Sequence, residues 1–106
     1  MHYKVYGERM DITLQYFDCC PNWTVVDKRL RLLSAERPDI ALNYQLIDTV
    51  EEAERMGFHG SPTILIDGVD AFGDATTPVG LACRRYMTDK GPAGAPSMAQ
   101  LKSVID

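Results

Sequence analysis

The chain has 106 residues, 45% hydrophobic and 25% charged, which suits a single domain (1–106) with a core of its own. A formal net charge of −4 argues against nucleic-acid or anionic-membrane partners, which would select a clustered Lys/Arg surface. Three cysteines, two of them adjacent, do not form a secreted disulfide framework, the opening MHYKVYGERMD has no apolar signal core, and no run is long enough to span a bilayer, so a reducing, cytoplasmic setting is expected.

Residues 1–10 are weakly patterned; Val5 and Tyr6 either join a short strand or belong to a loose N-terminal extension. From Asp11, Ile12, Leu14 and Tyr16 alternate with polar residues and the run closes on Phe17, which reads as a strand. Pro21 suits a first helical position, and Trp23, Val26, Leu30 and Leu33 recur at three- and four-residue steps, predicting a helix from about residue 21 to 36 that ends before Pro38. Residues 40–47 form a second strand with Leu42, Tyr44 and Leu46 on one face. Thr49 and Glu52 make a capping box for a short helix ending at Gly57.

Residues 62–66 read as a third strand, and Asp67-Gly68 as a two-residue hairpin turn returning through residues 69–72. Residues 73–81 read as loop, 81–87 as a strand or a turn of helix, and 91–96 as loop again. Ser97 caps a last helix through Ile105, with Met98, Leu101 and Val104 or Ile105 inward. The order β-α-β-α-β-β, an irregular insert, then α predicts an α/β fold whose first two strands are parallel and joined by a right-handed crossover.

The chemistry concentrates in Asp18-Cys19-Cys20-Pro21-Asn22-Trp23. With Cys20 as N-cap and Pro21 at the first helical position, the thiol would sit over unpaired backbone N–H groups that favour the thiolate. The alternative is an inert cysteine buried at a strand end. Pro62 either holds a cis bond that presents the backbone of Ser61 to an extended chain or simply opens an edge strand. Trp23 either walls the site or packs in the core. His59 is a loop histidine, and loop histidines are more often solvated than tuned to a thiolate or a metal. Arg84 and Arg85 either attract an anionic thiol or, as exposed arginine pairs more often do, neither attract it nor stabilise a thiolate.

FDCCPNW followed by GFHGSPTILIDG resembles the thioredoxin superfamily. It is most similar to small bacterial thioredoxin- and glutaredoxin-like proteins with a CPNW-type active site and a late Cys-Arg-x-Tyr segment, here Cys83-Arg84-Arg85-Tyr86. Some of that group carry the label alkylmercury lyase. The resemblance spans roughly residues 11–105 and implies a three-layer sandwich with a central mixed sheet of about four strands and flanking helices. It implies that Cys20, Cys19 and Cys83 are the catalytic candidates. It further implies that Pro21, Trp23, Ser61, a cis Pro62 and Thr63 shape substrate binding.

The motif departs from Cys-x-x-Cys. Aligned one way, Cys19 is the nucleophile and Asn22 replaces the resolving thiol; aligned the other, Cys20 is the nucleophile and Trp23 replaces it. The second alignment is preferred because it puts the thiol directly before the proline. Resolution then falls to Cys19 through a strained vicinal bond, to Cys83, or to an external thiol such as glutathione or mycothiol. Cys83 equally fits as small apolar filling beside Leu81.

The expected activity is thiol–disulfide oxidoreduction or thiol transfer on a disulfide-containing protein or a small thiol, with no bound cofactor. Glutathione or another low-molecular-weight thiol is a possible co-substrate. One alternative is a soft-metal or organomercurial protein taking Hg, As, Cu or Zn through the three thiols, with Asp18 the nearest carboxyl in sequence for protonation. Another is a non-catalytic module that keeps a peptide groove. No Cys/His ligand set of structural-zinc spacing is present. The oligomeric state is open.

Overall fold

Alternating apolar residues make Met10–Tyr16 a strand (β1), and apolar neighbours on both sides hold it inside the sheet. The computed structural model describes residues 9–18, 21–72, 79–81 and 83–105. Val5, Tyr6, Cys19, Cys20 and the stretch 73–78 of the expected loop lie outside these residues. Ile40–Leu46 (β2) pairs parallel with β1, and Thr63–Ile66 (β3) pairs antiparallel on the other side, with Gln15 opposite Thr63. Val69–Asp70 (β4) completes a mixed four-stranded sheet in the order β2-β1-β3-β4.

The hairpin between β3 and β4 turns through Asp67 at φ 50° and Gly68 at φ 87°, two consecutive left-handed residues as a tight Asp-Gly turn requires. The return strand stops at Asp70, where the Asp70 carboxylate accepts from the Phe72 N–H at 3.0 Å and bends the chain.

The helix Trp23–Glu36 (α1) starts later than its apolar spacing suggests. The Pro21 carbonyl accepts from the Thr24 N–H at 3.1 Å and from Thr24 Oγ1 at 2.7 Å, so a tight turn precedes the α-helical ladder. The N-cap is Asn22, which makes no side-chain capping bond. The expectation of Cys20 as N-cap and Pro21 at the first helical position is therefore corrected by two residues.

Val50–Met56 (α2) begins at Thr49, whose side chain accepts from the Glu52 N–H at 3.0 Å, and ends at a left-handed Gly57. Met98–Ile105 (α3) opens with a reciprocal box. The Gln100 N–H donates to Ser97 Oγ at 3.1 Å, and the Ser97 N–H donates to Gln100 Oε1 at 2.9 Å.

Residues 81–96 contain a feature the sequence reading divides wrongly. Tyr86–Thr88 (β5) and Gly91–Ala93 (β6) form an antiparallel hairpin, so the expected loop at 91–96 is corrected over its first half. Gln100 Nε2 donates to the Met87 carbonyl at 2.9 Å and ties this hairpin to the start of α3.

The core lies on the sheet face that carries α1 and α3. Ile12, Leu14, Val26, Leu30, Ile64 and Leu101 are at most 1% exposed and belong to one cluster, which Tyr86 and Ala95 of the hairpin region also join. Each such side chain stabilises the fold by about 1.5–3 kcal/mol through burial. The opposite face of β1 presents Thr13 and Gln15, and Gln15 Nε2 donates to Gln45 Oε1 at 2.8 Å. A second, smaller cluster gathers Ile47, Ala53 and Phe58 with Phe17 and Leu81. Among the described residues no helix is long and apolar enough to cross a membrane.

Candidate functional site

Because Gln15 faces Thr63 across an antiparallel pair, the segment leaving β1 and the segment leading into β3 meet at one end of the sheet. The first leads to Cys19, Cys20 and Pro21 in sequence. The second holds Ser61 and Pro62, joined by a cis peptide bond. Ser61, Pro62 and Thr63 are all buried, whereas Pro21 is exposed and Trp23 half-buried. Trp23 stacks on Tyr16 with ring centroids 4.4 Å apart, so it bridges the strand end and the helix start and also touches the main core.

Cys83 comes to the same place from far along the chain. It forms an isolated parallel bridge with Ser61, and the next residue, Arg84, donates its N–H to the Ser61 carbonyl at 2.9 Å. Cys83 is exposed and disulfide-bonded. Its reading as small apolar filling is thereby corrected, since a filling residue is buried and unreacted.

A set of side chains that the sequence reading did not join holds this segment down. Arg84 is 7% exposed, which corrects its reading as one of an exposed pair; Arg85 beside it is exposed. Arg84 Nη1 donates to Asp70 Oδ2 at 2.9 Å and to Thr63 Oγ1 at 3.2 Å, while Thr63 Oγ1 donates to the Gly60 carbonyl at 2.6 Å. Tyr86 donates its hydroxyl to the Pro62 carbonyl. Its ring lies 4.8 Å under the Arg84 guanidinium and meets Phe72 edge-on at 5.4 Å. Burial pushes the Tyr86 hydroxyl well above its ordinary range; Arg84 pulls it down and Asp70 adds to the rise, so Tyr86 stays a donor in ordinary conditions. The signal that could have found this set is the alternation of Arg84 and Tyr86, which puts both on one face of an extended segment.

The hairpin region also reaches the start of α1. A Cβ added at Gly94 would overlap the Asn22 side chain, so a larger residue there requires that side chain to turn aside. Arg29 Nη1 donates to the Pro96 carbonyl from the next turn of the helix. The sequence-derived candidates thus divide. Cys83, Ser61, Pro62 and Thr63 come together, Pro21 and Trp23 stand at the helix start at the same end of the sheet, and Cys19 and Cys20 lie outside the described residues. Asp18 is exposed and His59 half-buried.

Chemically, an exposed disulfide sulfur is open to attack by a thiolate, and the Arg84 charge is already matched by Asp70. Among the described residues no group of three His, Cys, Asp or Glu is placed to hold a metal ion. Compared with models of known protein families, the chain matches none. No curated protein matches it either.

Proposed function

We propose that the protein is a thioredoxin-like thiol–disulfide oxidoreductase in which Cys20 is the nucleophile and Cys83 resolves. The observation that carries this reading is Cys83 itself: exposed, disulfide-bonded, and bridged to the residue before the cis Pro62. The strand order β2-β1-β3-β4 with a parallel first pair supports the same reading. The thiol absent from Asn22 and Trp23 is supplied from the far end of the chain.

The Cys20 thiolate attacks one sulfur of a substrate RS–SR. The substrate S–S bond breaks, a Cys20–S–S–R bond forms, and RS⁻ leaves and takes a proton from water. Cys83 releases its proton to solvent, and its sulfur attacks Cys20 Sγ. The Cys20–Cys83 bond forms and the second RSH departs, so two electrons pass from the protein thiols to the substrate. Two equivalents of a low-molecular-weight thiol, such as glutathione, reverse these steps and restore the dithiol.

Peptide mapping by mass spectrometry after mild oxidation tests the assignment. A Cys20–Cys83 linked peptide is expected, and Cys83→Ser is expected to accumulate a mixed disulfide on Cys20. Full disulfide-reductase activity in Cys20→Ser, or three unreacted thiols after oxidation, would overturn it.

A further inference from the structure

Resting on that reading, we infer that the substrate of this site is a low-molecular-weight disulfide and not an extended polypeptide. An extended polypeptide docks at a sheet edge by strand addition, which needs an unoccupied backbone edge. Here the edge beside Pro62 carries the protein's own chain. The Phe58 carbonyl accepts from the Gly80 N–H at 3.0 Å, and the Ser61 carbonyl accepts from the Arg84 N–H at 2.9 Å. The segment holding Gly80 and residues 83–86 therefore runs as a parallel strap along residues 58–61.

The strap is latched by side chains that do not involve sulfur. The Arg84–Asp70 pair has side chains only 5% and 14% exposed, and the Tyr86 hydroxyl is fixed on the Pro62 carbonyl. None of these bonds uses the Cys83 sulfur, so the latch is expected to persist when the disulfide is reduced. The hairpin region also approaches the helix start, through Gly94 against Asn22 and Pro96 on Arg29, while Pro21 stays exposed. Cys83 is exposed at this end of the sheet, as are Asp18 and Pro21, and a small molecule needs no backbone edge to approach there.

Single-turnover oxidation of the fully reduced protein tests the inference with two probes that share a leaving thiol. One is hydroxyethyl disulfide. The other is an unstructured peptide of roughly a dozen residues whose central cysteine is disulfide-linked to 2-mercaptoethanol, long enough for strand addition. The small disulfide is expected to react faster by about 100-fold.

Asp70→Asn and Tyr86→Phe each loosen the strap from a different side, so one remains informative if the other fails to fold. Each is expected to raise the peptide rate by about tenfold while moving the small-disulfide rate by no more than about twofold. If both probes react equally fast and both require Cys20, the substrate-class inference falls and the oxidoreductase reading stands. If peptide rates stay unchanged in both strap variants, the inference falls as well. If neither probe oxidises the wild-type protein, the oxidoreductase reading falls and takes the inference with it.

Discussion

The two sides of β3 are built on different physics. On one side, β1, α1 and α3 bury Ile12, Leu14, Val26, Leu30 and Leu101 in a continuous apolar cluster. On the other, the strap adds directional bonds, Gly80 to Phe58, Arg84 to Ser61, Thr63 and Asp70, and Tyr86 to Pro62, to the one ring, Tyr86, that it contributes to the apolar cluster. Apolar burial is non-directional and spreads a lesion over the whole domain. A polar latch depends on each partner, so a lesion there acts locally. The proposed site lies on the latched side, where Cys83 bridges Ser61.

The largest expected effect comes from the apolar side. Leu14→Ala removes a fully buried side chain and should cost about 2–5 kcal/mol, read as a lower urea midpoint, with amide exchange faster throughout the molecule. A change confined to a few amides would break the comparison.

Next comes the latch. Arg84→Met leaves the mostly buried Asp70 carboxylate without its cation and should cost about 2 kcal/mol, less than a fully buried pair because Asp70 keeps some solvent. Its signature is the location: the amides of Gly80 and Arg84 should exchange first, while those of β1 stay protected. The double variant Arg84→Met, Asp70→Leu should recover most of the loss, as apolar replacements of such pairs do.

Gly94→Ala makes the Asn22 side chain turn aside and should cost about 1 kcal/mol, the low end of overpacking, because only a side-chain end has to move. Shortening the neighbour in Gly94→Ala, Asn22→Ala should return most of it. Equal stability of Gly94→Ala and wild type in urea would show that the hairpin does not press on the helix start.

A comparable effect is expected at Tyr86. Tyr86→Phe deletes one hydrogen bond to the Pro62 carbonyl and should cost about 1 kcal/mol near neutral pH. Burial holds its hydroxyl above the ordinary 10.0, so the unfolded chain loses this proton first. The stabilisation is complete below that value and is lost as pH rises through the higher folded value. Wild type should therefore lose stability above this point more steeply than Tyr86→Phe, and parallel urea midpoints for the two would sink the assignment.

The regular elements were readable because each is dictated by residues close in sequence. The spacing of Val26, Leu30 and Leu33 defines a helix, Thr49 and Gly57 bound another, and Asp67-Gly68 turns a hairpin without help from the rest of the chain. The start of α1 was misplaced because Pro21 and Thr24 settle it by a local turn that competes with the helical ladder. The second hairpin was half missed because β5 and β6 are three residues each and Pro92 sits in one of them.

At the site, the resemblance carried by FDCCPNW, GFHGSPTILIDG and Cys83-Arg84-Arg85-Tyr86 points to Cys83, Ser61, Pro62 and Thr63. The sequence reading left open whether Cys83 reacts or fills space, and it misjudged Arg84. Those questions turn on burial and on partners 14 to 24 residues away along the chain, at Asp70, Thr63, Ser61 and Pro62. Sequence determined the strands, the helices and the chemically able residues, since short-range periodicity and turn chemistry are written in neighbouring side chains. Only the tertiary structure decided that Cys83 lies against Ser61 and that the strap closes the edge beside Pro62, because that pairing depends on long-range register and on matching one buried charge with another.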